Sequence, residues 1–232
     1  HGVGMLQWLS NWLSGRGPSS YDRFKNATIQ DTTLMSIDLE LTSLNANESE
    51  ITSFGWVCGR NSSIALETSA YSVVKTKASL GQSPVIHGLI QDNIAKGEKI
   101  EDVLTEFIAQ LPSKILVIHN ANLDLAVLDA VFRRLNLPAQ EVYYIDTLQL
   151  ALYELKKEHE VIPTNSASLG ACLLRAGLPK VPQHNALEDA MAALLLCYAQ
   201  LALLGLTPQN CLADLSHTRA LGKKILGVVK AQ

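Results

Sequence analysis

The chain lacks the features that would set it apart from ordinary globular proteins. Aromatic residues are scarce at 6% and charged residues modest at 18%, with no internal repeat and no low-complexity tract. Together with 47% hydrophobic residues, 14 Gly and 8 Pro, this excludes disordered and fibrous classes. No hydrophobic run is long enough to span a bilayer: the most apolar stretch, Ala190 to Leu204, is short and contains Gln200, so it reads as a buried helix. The opening "HGVGMLQWLSNWLSGRG" lacks the basic flank and continuous apolar segment of a signal peptide, and the mature chain is expected to begin at Met5. Paired cysteines are lacking too. Cys58, Cys172, Cys197 and Cys211 form no CxxC pair and have no His at zinc-ligand spacing, which points to core thiols in a reducing cytoplasm. Nor is there an excess of positive charge. A net charge of −3 gives no global attraction to nucleic acid or to an anionic membrane, so a polyanion has to be held by a local patch or by metal ions.

What the chain does have is a change of hydrophobic period along its length. At 232 residues it fits one well-cored domain with short appendages. Residues 1–30 are expected to form an amphipathic helix, carrying Trp8 and Trp12 among leucines, and a linker. Residues 31–206 are expected to form the domain, and 207–232 a mildly basic C-terminal extension. Four β-rich runs, "TLMSIDLEL", "ITSFGWVCGR", "SSIALETSA" and "YSVVKTK", follow one another between Asn, Gly and Ser breaks and predict antiparallel pairing. Beyond them, "KIEDVLTEFIAQL", "LDLAVLDAVFRRLNL" and "TLQLALYELKKE" carry helical spacing, and the apolar runs "KILVIH" and "VYYIDT" lie between them as strands. Such alternation implies crossover units and a parallel portion of the sheet. The fold class is α/β with a mixed sheet. Two further helices are expected in "SASLGACLLRAGL" and "HNALEDAMAALLLCYAQLALLGL", the latter N-capped by Asn185.

Within this frame "SIDLELTSL" places two acids in an otherwise buried strand. Residues two apart project from the same face, so Asp38 and Glu40 leave the strand together. Asp124 lies one turn into the helix after "KILVIH", and Asp189 in the first turn of the last helix, with His184 just before it. Strand ends and helix starts of an α/β sheet converge at one edge. Four carboxylates delivered there repel unless a cation joins them, and hard oxygen ligands suit Mg²⁺ or Mn²⁺. Two such ions stabilise the attacking and leaving oxygens of a phosphodiester displacement. His184, with a reference pKa of about 6.5, is placed to take a proton from the attacking water.

"SIDLEL", "HNANLDLAVLD" and "HNALEDA" resemble, in order and spacing, the three exonuclease motifs of the DnaQ-like 3′-5′ exonucleases, in the DEDDh subclass with a histidine five residues before the last acid. "VIHGL" and "YIDTLQLA" also resemble family segments, and the likeness runs from about Met35 to Gly205. The resemblance implies an RNase H-like fold, a mixed five-stranded sheet flanked by helices. It implies two metal ions held by Asp38, Glu40, Asp124 and Asp189, with His184 as general base. The implied reaction releases nucleoside monophosphates one at a time from single-stranded 3′ ends, and a polymerase or other replication protein is an implied partner. Leu41 and Thr42 match the stretch that lies against the terminal nucleotide in the family, and His87 matches a residue near that nucleotide. The chain departs from the family in reading Leu41, Thr42, Ser43 where Thr-Thr-Gly is common, and Leu123 where an aromatic precedes the third acid.

Two other readings stand beside this one: an exoribonuclease of the same superfamily, and a non-catalytic nucleic-acid or polymerase-binding module. Asp146, between strand and helix, is expected to be a cap. His119 and Asn120 are expected to satisfy backbone groups at their turn, with Asn120 also a candidate substrate contact.

Overall fold

Alternation along "TLMSIDLEL" produces β1, Thr33–Leu41, the strand from which the sheet is organised. Its odd residues Met35, Ile37 and Leu39 enter one apolar cluster, and Leu34 enters another on the opposite face. The structure, a computed structural model, describes residues 20–76, 96–180 and 185–227. The expected amphipathic helix around Trp8 and Trp12, His87 and His184 lie outside the described residues.

The remaining strands are β2 (Ile51–Arg60), β3 (Ser63–Val73), β4 (Lys114–Ile118), β5 (Gln140–Asp146) and β6 (Leu221–Leu226). Their order is β3-β2-β1-β4-β5-β6. The pairs β1/β2, β2/β3 and β5/β6 are antiparallel, whereas β1/β4 and β4/β5 are parallel. The sheet is therefore mixed, as expected, but among the described residues it has six strands and not five. The sixth comes from the segment assigned to the C-terminal extension. "LGKKIL" escapes a pattern search because it is short and its two lysines break the apolar alternation; lysine is a common device on exposed sheet edges. Gly222 leaves room for the Tyr144 ring opposite it, which a Cβ at this position, falling within 2.7 Å, would push aside. A second difference concerns "SSIALETSA" and "YSVV", which form one strand, β3, and not two.

Among the described residues the helices are α1 (Ser20–Asn26), α2 (Ile100–Gln110), α3 (Ala121–Arg134), α4 (Thr147–Glu158), α5 (Leu169–Arg175) and α6 (Ala186–Leu203), with a 3₁₀ helix at Leu212–Thr218. One face of the sheet packs Met35, Ile37, Phe54 and Trp56 against Leu104 and Phe107 of α2 and Leu125, Leu128 and Phe132 of α3. The other packs Leu34, Val57, Val117 and Ile145 against Leu194, Cys197 and Leu201 of α6, with Phe24, Leu212 and Leu215. A smaller cluster joins α4, α5 and α6 through Leu155, Leu173 and Leu196. The apolar stretch after Ala190 is thus a helix laid across β1 and β2, with Ala190, Ala193, Leu194 and Cys197 buried. The four cysteines are free thiols, three of them buried.

Candidate active site

β1 delivers two of the four acids. Asp38 and Glu40 pair with Gly55 and Ser53 of β2, so both leave the sheet on the face that α6 covers. The ladder shifts register between Glu40 and Leu41, an irregularity of the kind that redirects a chain at the edge of a site. α3 delivers the third acid, because the turn after β4 is only two residues long and Asp124 falls in the first turn of the helix. α6 delivers the fourth. Asn185 Oδ1 accepts hydrogen bonds from the N–H groups of Leu187 and Glu188 at 3.1 and 3.2 Å, which starts the helix and places Asp189 in its first turn.

Oxygens of Asp38, Glu40 and Asp189 lie within 4.8 Å of one another. Glu40 and Asp124 are buried, and Asp38 and Asp189 are partly so. Burial pushes the Asp38 carboxyl well above its ordinary value of 3.8, and the charges of Asp124, Asp189 and Glu40 push the same way. Asp124 is raised well above the same value, by burial first and then by Asp146 and Glu40. Like charges held this close in a medium of low dielectric oppose one another. An all-carboxylate set of hard oxygens, destabilised in just this way, fits a divalent cation such as Mg²⁺ or Mn²⁺.

Asp146 does more than cap α4. Its Oδ1 accepts from Leu148 N–H at 2.9 Å and Asn120 N–H at 3.1 Å, and its Oδ2 from Ala121 N–H at 3.1 Å. One carboxylate therefore ties the start of α4 to the turn that launches α3, one turn before Asp124. Burial raises its pKa while those N–H groups oppose the rise. Beside it, burial lowers the His119 pKa to about 4, so the imidazole is neutral. Its Nε2–H donates to Ala167 O at 2.9 Å, and Nδ1 accepts from the Thr147 hydroxyl, also at 2.9 Å. His119 thus satisfies a backbone carbonyl, but it is that of Ala167 in a distant loop and not, as the sequence pattern suggests, one at its own turn.

Leu41 and Thr42 line a hollow of about 270 Å³ together with Glu40, Ser43, Leu44, Leu123 and Asp124. Both departures from the family pattern, at residues 41–43 and at 123, thus share one wall-to-wall space with two of the acids. Asn120 lies elsewhere. It adopts the left-handed conformation (φ 74°), its N–H is taken by Asp146, and it lines a separate hollow of about 350 Å³ with His119, Leu152, Ile162 and Asn165. His87 and His184 lie outside the described residues. Three residues escape a motif search. Gly55 sits between Asp38 and Tyr71 in one cross-strand row. Ser53 is opposite Glu40, with its Oγ buried. Tyr71, 38% exposed, has its phenol pKa raised by burial, with Ser53 opposing and Glu40 and Glu188 adding to the rise. Only strand register brings them to the acids.

A mixed sheet with acids supplied from the end of its central strand and from two helix starts defines an RNase H-like nuclease architecture. The comparisons narrow this. The chain belongs to the RNase_T exonuclease family, whose model matches residues 35–197. It is 32% identical over 166 residues to the PolC-type DNA polymerase III of Thermotoga maritima, covering 71% of this chain and 12% of that protein. The chain thus spans about an eighth of the length of the curated relatives it matches. Among solved structures, exonuclease X in complex with 5′-overhanging duplex DNA aligns with a TM-score of 0.57 and 25% identity, over 79% of this chain and 99% of that one. The nuclease domain of 3′hExo, a DEDDh family member bound to rAMP, aligns with a TM-score of 0.57 at 16% identity, over 75% and 92% of the two chains, and shares the fold.

Proposed function

We propose that the chain hydrolyses phosphodiester bonds at the 3′ end of single-stranded DNA or short oligonucleotides, releasing nucleoside monophosphates, with two bound Mg²⁺ or Mn²⁺ ions. The observation that carries this reading is the meeting of Asp38, Glu40 and Asp189 within 4.8 Å, beside a hollow that also takes in Asp124. Bound cations would supply charge stabilisation at the attacking and leaving oxygens and favour deprotonated water near neutrality. Asp38, Glu40, Asp124 and Asp189 would hold them. The hollow, close to the lower limit of about 300 Å³ for small-molecule sites, would receive the terminal nucleotide. Leu41, Leu44 and Leu123 give it apolar walls. Thr42 Oγ1 accepts from Glu50 N–H at 2.9 Å and Ser43 Oγ from Asn45 N–H at 3.0 Å, which fixes the loop and leaves each hydroxyl a proton to donate. His184, immediately before the Asn185 cap, would take the proton of the attacking water.

The PolC-type relatives support a setting beside a replicative polymerase, and buried free thiols support a reducing cytoplasm. The reading is tested with 5′-labelled DNA and RNA strands of matched sequence. Mg²⁺ or Mn²⁺ should produce stepwise shortening from the 3′ end, abolished by EDTA, with the ratio of rates on the two strands giving the sugar preference. Asp189→Ala should lose about 100-fold or more in rate, since even groups that only support a metal ligand are worth 10–100-fold. Shortening from the other end, or none with any divalent ion, would overturn the reading.

A further inference from the structure

We propose that Gly55 is a positioning residue of the acid site: its missing side chain is the seat on which the start of α6 rests, and that seat brings Asp189 to Asp38 and Glu40. The inference rests on the reading of these acids as cation ligands.

Gly55 is the β2 residue directly opposite Asp38. A Cβ at this position would fall within 2.6 Å of Leu187 N, Leu187 Cα and Ala186 C. All three are backbone atoms, so no side chain can swing aside to relieve the overlap; either the helix start or the strand has to move. β2 is held on both sides, by β1 and by β3. α6 is the element left to move. Its first turn is one hydrogen-bonded unit, with Asn185 Oδ1 bound to Leu187 and Glu188 N–H and Asp189 N–H donating to Asn185 O at 2.9 Å. A displacement at Leu187 is therefore carried to Asp189, two residues on. Ordinary van der Waals contact begins near 3.4 Å, so the helix start must withdraw by about 1 Å, whereas metal–ligand distances tolerate only about 0.2 Å. Gly59, on the same strand and also under α6, is a natural control. A Cβ there would meet Tyr198 Oη at 2.5 Å, Ser63 O at 2.6 Å and Leu194 Cδ2 at 3.0 Å, well along the helix from the acids.

The test is Mn²⁺ binding, read by electron paramagnetic resonance on the whole chain without substrate. Gly55→Ala should weaken binding by about 10–100-fold, while Gly59→Ala lowers thermal stability and leaves Mn²⁺ affinity within about twofold of wild type. Asp189→Glu provides a second arm, and its reading in the wild-type background does not depend on Gly55→Ala folding. On a fixed seat its longer side chain overshoots and affinity falls; in a Gly55→Ala background the extra methylene spans the retreat and affinity recovers in part. Equal affinity in wild type, Gly55→Ala and Asp189→Glu would show that α6 slides freely, and would overturn the proposal. Failure of wild type itself to bind Mn²⁺ would instead sink the ligand reading, and the seat with it.

Discussion

Replacing Asp38 by Asn removes a charge that burial and three neighbouring carboxylates all oppose. The metal-free variant should be more stable than wild type, by about 1.4 kcal/mol for each tenfold relief in proton affinity, or about 3–6 °C in melting temperature for a chain of this size. Activity should be lost, and saturating Mn²⁺ should raise the melting temperature of wild type only. Thermal denaturation with and without Mn²⁺ checks this; a destabilised metal-free variant would contradict it. At this scale the acids were legible because a two-residue step on a strand and a first-turn position on a helix fix direction without any tertiary information. Gly55, Ser53 and Tyr71 were not. Their neighbours are Leu187, Glu40 and Glu188, and only the register of three strands and the path of α6 bring these together.

The joint between α3 and α4 depends on one carboxylate. Asp146→Ala leaves the N–H groups of Asn120, Ala121 and Leu148 without their acceptor, which should cost about 2–3 kcal/mol and also weaken Mn²⁺ binding through the displaced start of α3. Asp146→Asn keeps one acceptor oxygen and should lose less on both counts; equal losses in the two variants would contradict this account of the joint. At α6 the corresponding change is Asn185→Ala, which should cost about 1 kcal/mol, measured by urea unfolding. α4 matched its sequence reading residue for residue, because Asp146 caps its start and the lysine-bearing last turn marks its end. β6 had no such marks. Its apolar positions are interrupted by Lys223 and Lys224, and what makes it a strand is pairing with β5, from Gln140↔Leu226 to Ile145↔Leu221.

Taken as one molecule, the chain holds its sheet together from both ends of the sequence. Residues 221–226 shield the edge of β5, and Leu226 is fully buried. Truncation after Leu206, where the sequence pattern alone would end the domain, should therefore give a chain that aggregates or unfolds at lower urea, as an uncovered apolar edge does; an unchanged midpoint would contradict the six-stranded description. Stability should also depend on pH through two opposed groups. His119 stays neutral in the fold down to about pH 4, whereas the unfolded residue takes a proton below about 6.5, so stability falls as pH falls between these values. Asp38, Asp124 and Asp146 have raised pKa values, so the metal-free fold binds protons that the unfolded chain does not, and it loses stability as pH rises above 3.8. His119→Asn should remove an acid-side loss on the order of 2–3 kcal/mol in urea unfolding between pH 6.5 and 4; parallel curves for variant and parent would contradict a buried neutral imidazole. The central claim, that acids from β1, α3 and α6 meet around divalent cations, is tested most directly by anomalous diffraction from crystals soaked in Mn²⁺ and a nucleoside monophosphate. The account predicts Mn²⁺ peaks bounded by Asp38, Glu40, Asp124 and Asp189, and none in an Asp38→Asn crystal; a wild-type crystal with no peak there would contradict it.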